Sequence, residues 1–283
     1  MKDLSIVVVT YKEEMELLKN CFDSVKESEG LSFELIVTDN GGREDTKELV
    51  ESYAGAAYIR NTENRGFAYA VNQGMKQGRG RYILLLNPDT HFEPDVLARM
   101  VKHLIKNPKV GVASSLILHP DGEIQKSIRR FPGFWNQLLI MLKVPHIFPK
   151  NRSIGRYMMN DKDPKQTQDV ESIMGAFMFI RRELIEEIGL FDERYFIWFE
   201  EVDYCKMAYD AGWKIRHYAD VDITHLKGHM FGKIATLKKQ KWMRTSMRKY
   251  MRKHKGVLAW GAMWMLTPLF IALAHIISII KPK

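Results

Sequence analysis

The stretch RYILLLNPDT, residues 81–90, decides how the chain is read. Tyr82 to Leu86 are all apolar or aromatic, as in a strand buried on both faces. The run stops at Asn87-Pro88-Asp89, which places a carboxylate just beyond the end of a core strand. Asn, Pro and Asp also make turns for backbone reasons alone, so a plain turn is the other reading.

Working outward, similar runs recur. LSIVVVT (4–10), FELIVTDN (33–40), AAYIR (56–60) and VGVASSLIL (110–118) read as strands. Helical spacing fills the gaps at 13–28, 44–53, 66–77 and 93–107. This alternation predicts an α/β fold with a mostly parallel sheet covered on both faces. From Asp121 to Gln168 the periodicity dissolves, which predicts a lid or flexible loop. Order returns at 170–184, as a strand leading into a helix; residues 199–212 read as a helix and 213–225 as a strand.

Neither a dinucleotide-binding nor a P-loop glycine pattern follows the first strand, where the sequence is VVVTYKEEM. Ligands still bind outside the carboxyl ends of the strands in an open α/β sheet. That edge carries Thr10, Asp39, Asn40 and Asp89. Two acids there suit a metal–nucleotide complex held by Mg²⁺ or Mn²⁺, since a bare phosphate would be repelled. In NTENRGFAYAVNQG (61–74), Asn64, Gly66, Ala68, Ala70, Asn72 and Gly74 gather at a helix start. They suit a close ligand and a diphosphate on the helix amides, or simply a tight packing face. Arg129 and Arg130 could grip a diphosphate or belong to a solvated basic loop. Trp198 could stack on a bound ligand or fill the core. The thiols of Cys21 and Cys205 lack metal-ligand spacing and are expected to pack, as in a reduced protein.

The 283 residues carry a net charge of +9, but unevenly. Thirteen of the 43 Lys and Arg, and none of the 34 Asp and Glu, lie from Ile223 to Lys283. Residues 1–222 therefore hold 30 basic and 34 acidic side chains, a net of −4. Residues 229–256 read as a basic helix, with an apolar row at Met243, Met247, Tyr250 and Met251 and a basic row at Arg244, Arg248 and Arg252. Residues 257–280 contain no formal charge. As one helix they would reach about 36 Å at ~1.5 Å per residue, enough for a bilayer core of about 30 Å. Pro268 interrupts the run, so one kinked span and two segments lying in one leaflet are both open, as is a helix buried in a homo-oligomer interface. The uncharged run speaks against nucleic acid as the partner of the basic helix.

The motifs SIVVVTYK, IVTDNGG, NRGFAYAVNQG, LLLNPDT, GAFMFIRRELIEEIGLFDERYFIWFEEVDYC and AGWKI, in that order, resemble the inverting family 2 glycosyltransferases of the GT-A fold. The likeness is greatest to bacterial rhamnosyltransferase-type members and covers about residues 3–230. It implies a GT-A catalytic domain over 1–228, with a donor-binding half to about 118 and a catalytic half from 119, followed by a membrane-binding extension over 229–283. It implies that Asp39 contacts the base of a nucleotide-sugar and that the Asn64–Gly66–Asn72 segment lines the donor. Asn87-Pro88-Asp89 stands where the family has its Asp-x-Asp motif, so Asp89 would hold the cation, with His225 joining it. Glu201 matches the catalytic base, and Glu200 stays a rival. The implied reaction is metal-dependent transfer of a sugar, L-rhamnose from dTDP-L-rhamnose or a UDP-sugar in its place, onto a polyprenyl-diphosphate-linked saccharide at the cytoplasmic face of the membrane. A non-catalytic membrane or nucleic-acid-binding protein is the distant alternative.

Overall fold

The computed structural model describes residues 2–226 and 236–280. Among the described residues, eleven strands and nine helices precede the C-terminal segment. The strands are β1 (Leu4–Thr10), β2 (Phe33–Asp39), β3 (Ala57–Arg60), β4 (Tyr82–Leu86), β5 (Thr90–His91), β6 (Val110–Leu118), β7 (Ile128–Arg129), β8 (Gln168–Val170), β9 (Ser172–Ile173), β10 (Phe177–Arg181) and β11 (Lys214–His225). The helices are α1 (Met15–Lys26), α2 (Glu44–Glu51), α3 (Phe67–Gln77), α4 (Val96–Lys106), α5 (Phe134–Met141), α6 (Val144–Ile147), α7 (Arg152–Tyr157), α8 (Arg182–Ile188) and α9 (Glu200–Asp210).

The main sheet runs β3-β2-β1-β4-β10-β6-β11-β5, with β8 also on β11. The first four strands are parallel, in register Thr10 to Asp39 and Val8 to Leu86. Strand β10 then lies antiparallel between β4 and β6, and β5 and β8 are antiparallel to β11. Strands β6 and β11 pair in parallel, so β1, β2, β3, β4, β6 and β11 all run one way and the sheet is mostly parallel, with β10, β5 and β8 reversed. Alternation along each strand builds two cores. Ile6, Val8, Leu84, Leu86, Phe177 and Phe179 face one side, while Val7, Val9, Ile83, Leu85, Met178 and Ile180 face the other. Each large side chain so buried stabilises the fold by roughly 1.5–3 kcal/mol.

Residues 121–168 are not a structureless lid. They form β7 and the short helices α5, α6 and α7, whose apolar side chains join a third core. There Met141 packs with Tyr195, Phe199, Val202, Met247, Tyr250, Met251, Met263 and Phe270. This core joins the body to the basic helix Thr236–His254 and to the apolar helices Gly256–Met265 and Thr267–Ile280. Of the expected basic helix, residues 229–235 lie outside the described residues.

Candidate active site

Strand β4 ends at the turn that opens the sequence reading. Asn87 N–H donates to Ala176 O at 2.9 Å, which ties the turn to the segment entering β10. Thr90 Oγ1 donates to Asn87 O at 2.7 Å, and the buried Cys21 thiol packs behind, 3.6 Å from the same carbonyl. Burial pushes both thiols, Cys21 and Cys205, up to about 12, so they act as small apolar groups.

The turn brings Asp89 and His225 together. Asp89 Oδ1 lies 3.1 Å from His225 Nε2, and Leu226 N–H donates to Asp89 O at 2.9 Å. His225 Nδ1 is 3.0 Å from Gln125 Oε1, which can only accept, so Nδ1 carries the hydrogen. The Nε2 lone pair then faces Asp89 and Asn87 Nδ2, the latter at 3.2 Å. A lone pair and a carboxylate oxygen so close repel each other unless a proton or a cation lies between them. The amide of Gln125 orients the imidazole as an outer-shell partner orients a metal ligand. The pair fits a divalent cation that takes its remaining oxygens from a diphosphate. Among the described residues no group of three or more His, Cys, Asp or Glu side chains is arranged to hold a metal by itself.

Across the sheet edge, Thr10 Oγ1 is buried without a hydrogen-bond partner. Asp39 is fully buried. Its Oδ1 accepts from Gly41 N–H at 2.7 Å, and its Oδ2 accepts from Arg43 N–H at 2.9 Å and Tyr58 O–H at 2.8 Å. The carboxylate thus shapes the loop after β2 and keeps about one of its four lone-pair positions for a ligand. Glu13 joins this edge and was not singled out in the sequence. Burial, with the charges of Asp89 and Asp39 behind it, pushes its carboxyl up to about 7.

The Asn64–Gly74 segment turns out to serve the fold more than the ligand. Asn64 Oδ1 accepts from Gly66 N–H at 2.9 Å. Gly66 has φ +104°, and a Cβ there would lie 2.5 Å from Phe196 O. A Cβ at Gly74 would lie 2.4 Å from Val7 Cγ1. Asn72, expected to line the donor, also pins the chain. Its amide donates to Phe191 O at 2.9 Å and Glu193 Oε1 at 3.0 Å, and accepts from Phe191 N–H at 3.0 Å, which leaves one acceptor position on Oδ1. Gly66→Ala is expected to destabilise the protein by about 2–4 kcal/mol, from the positive φ and the clash together. A urea midpoint unchanged in that variant would contradict the packing described.

The third cluster surrounds a cavity of about 210 Å³ lined by Arg129, Gln137, Tyr157, Trp198, Glu201 and Met243, among others. Trp198 and Phe199 have φ of +63° and +72°, a left-handed pair that costs roughly 1–3 kcal/mol per residue. Ser246 Oγ, donating to Ile197 O at 2.8 Å, and the Phe199–Tyr250 ring contact at 5.6 Å hold this turn in place. Helix α9 starts immediately after it. Glu200 and Glu201 each keep an Oε2 that is buried without a hydrogen-bond partner. Burial raises the pKa of both. Glu201 faces the cavity; Glu200 is not among the residues that line it. Arg129, half-buried, belongs to the same wall, and its charge acts on Glu201. Trp198 lines the cavity and packs on the third core. Arg130 does not share the site: it makes two hydrogen bonds of 2.7 Å to Asp161. Tyr157 and Gln137 were missed, because no periodicity marks the helices that carry them.

The metal-type pair and the Glu201 cavity flank one short segment. Ala176 receives the Asn87 hydrogen bond, and a Cβ on neighbouring Gly175 would stand 3.7 Å from Glu201 Cβ.

The model of glycosyl transferase family 2 matches residues 5–189. The chain belongs to this family. Over 81% of its length it is 25% identical to the N-acetylglucosaminyl-diphospho-decaprenol L-rhamnosyltransferase of Mycobacterium tuberculosis, covering 78% of that protein. It is 24% identical, over 80% of its length, to the low-salt glycan biosynthesis hexosyltransferase Agl10 of Haloferax volcanii, covering 67% of it. Among solved structures, the mannosyltransferase PcManGT from Pyrobaculum calidifontis, in complex with GDP-Man and Mn²⁺, superposes with a TM-score of 0.59 at 17% identity, over 100% of this chain and 76% of that one. GalNAc-T7 with UDP, GalNAc and Mn²⁺ gives 0.59 at 17%, over 87% of this chain and 47% of that one. The fold is GT-A, and the protein is a rhamnosyltransferase-like glycosyltransferase.

Proposed function

We propose that the enzyme transfers a sugar, with inversion, from a nucleotide-sugar to a lipid-diphosphate-linked saccharide, and that dTDP-L-rhamnose is the donor. The observation that carries the mechanism is Glu201, half-buried and facing a cavity, with its carboxylate Oε2 buried and free of hydrogen bonds. Inversion needs one displacement at the anomeric carbon, a base for the acceptor hydroxyl and support for the departing diphosphate. Glu201 takes the proton from the hydroxyl, and burial, by raising its pKa, makes it a stronger base than an exposed glutamate. Arg129 and Trp198 shape the wall against which an acceptor sugar sits. Thr10, Asp39 and Asn40 close the edge that receives the donor nucleotide. Asp89 and His225 would hold Mg²⁺ or Mn²⁺, which when bound supplies Lewis-acid stabilisation of the diphosphate; both structural relatives named above were solved with Mn²⁺.

Support for the substrates comes from the mycobacterial relative, whose name specifies L-rhamnosyl transfer onto a lipid-diphosphate GlcNAc. A UDP-sugar donor on the same residues is the alternative. Support for a membrane comes from the C-terminal segment. Among the described residues no single helix is long and apolar enough to cross a bilayer; the pair 256–265 and 267–275 together would be, but it bends by 43°. Met263 and Phe270 of this pair are buried against the body, while Val257, Leu258, Trp264 and Met265 are exposed. A pair docked along one side and apolar on the other suits insertion into one leaflet better than a span. With Lys238, Lys241, Arg252 and Lys255 exposed nearby, an anionic cytoplasmic leaflet is the matching surface.

The test is nucleotide release across a panel of nucleotide-sugars, with and without a short lipid-diphosphate GlcNAc. Acceptor-dependent release of dTDP from dTDP-rhamnose is expected. UDP release from a UDP-sugar instead would replace the donor assignment.

A further inference from the structure

The basic helix carries a second row beside its buried Met and Tyr residues. Gln240, Arg244 and Arg248 follow at i+4 spacing and share one face. Arg244 is only 8% exposed. Arg248 Nη1 donates to Thr267 Oγ1 on the apolar pair at 3.4 Å, and Lys143, in the turn after α5, donates to Gln240 Oε1 at 3.0 Å. Arg244 and Arg248 are one helical turn apart, and Lys143 reaches the same row through Gln240. Burial holds all three pKa values below their ordinary range, with the charge of Arg244 adding to it at Lys143 and that of Arg248 at Arg244. Among the described residues no carboxylate is ion-paired with any of them, and the sequence has no Asp or Glu beyond Asp222. Gathering one buried and two half-buried cations without a counter-charge is costly, so the cluster suits an anion.

Its position says which anion. One residue before Arg244, Met243 lines the Glu201 cavity. At its other end the row meets Thr267, on helices whose outer side is apolar. A molecule lying along the row has its head at the catalytic cavity, its charge on the cations and its tail at the apolar surface. We propose that Lys143, Arg244 and Arg248 bind the diphosphate of the lipid-linked acceptor, Arg forks and the Lys ammonium together matching its phosphate oxygens. This rests on the reading of the acceptor given above and names the residues that would recognise it.

The test is calorimetric binding of farnesyl diphosphate, which carries no sugar, to the full chain in detergent micelles without donor. Lys143→Gln and Arg248→Gln change half-buried positions and are expected to weaken binding about tenfold each. Arg244→Lys, which keeps the charge and loses the fork, weakens it too. Melting temperatures confirm that each variant is folded. Farnesol is expected not to bind. Equal affinity in wild type and variants, no binding by folded wild type, or equal competition by phosphatidylglycerol would each overturn the proposal. Because the probe needs no sugar transfer, specific binding alongside silence across the donor panel would sink the functional reading and leave this site standing.

Discussion

Glu201→Gln is expected to lower kcat for sugar transfer by about 10²–10⁴-fold, the usual contribution of a positioned general base. The amide keeps the shape of the side chain but cannot take a proton. Glu200→Gln is expected to cost far less, because that carboxyl is not part of the cavity wall. Kinetics of the two variants separate the neighbours, and the reverse ranking would move the base to Glu200. The sign of the pH dependence follows from burial. Glu201 is active when ionised, and burial raises its pKa. Activity is therefore lost as pH falls through the raised value. The acid limb of kcat/KM is expected above the ordinary glutamate range near 4.3, and to vanish from the residual activity of Glu201→Gln.

The second large effect is expected at the turn after β4. Asp89→Ala removes one half of the pair whose oxygen and nitrogen face each other at 3.1 Å. The cation proposed to be held there would supply several kcal/mol of charge stabilisation, so turnover is expected to fall by about 10²–10³-fold. Titration with Mn²⁺ should no longer restore it, and calorimetry should show donor affinity losing its dependence on metal. Asp89→Ala turnover that still rises with Mn²⁺ as in wild type would contradict the assignment. His225→Ala should show the same pattern with a smaller loss, since the carboxylate remains.

Much of this was legible in the sequence, for physical reasons that also mark where legibility ends. Apolar runs ending at Thr10, Asp39 and Asn87-Pro88-Asp89 report buried strands and the edge they share. They carry no record of direction, so the antiparallel insertion of β10 between β4 and β6 could not be read from them. Small residues signal that something comes close, but not what. At Gly66 it is the Phe196 carbonyl and at Gly74 the Val7 side chain, where a ligand had been the attractive reading. Arg129 and Arg130 are neighbours with different fates: Arg129, which ends β7, lines the cavity, while Arg130, just past the strand, pairs with Asp161. Strand β7 is only two residues long, too short to show its period. Glu13 stood in plain view after β1, yet its raised pKa comes from burial and from carboxylates brought close by other strands.

The basic helix is the feature whose meaning changes most between sequence and structure. Its charge pattern alone suggests a surface anchor. In the fold it also forms part of the catalytic cavity: Met243 lines that cavity, and Ser246 holds the left-handed turn from which Glu201 projects. A helix that binds the membrane and positions the base would place the chemistry where a lipid-linked acceptor is found.

The most direct test of single displacement by Glu201 is the anomeric configuration of the product, read by proton NMR on the sugar transferred by the wild-type enzyme. An anomeric centre inverted relative to the donor is the result expected of one displacement with Glu201 as base. A retained centre would require a second displacement or a front-face route, and would contradict the role given to Glu201.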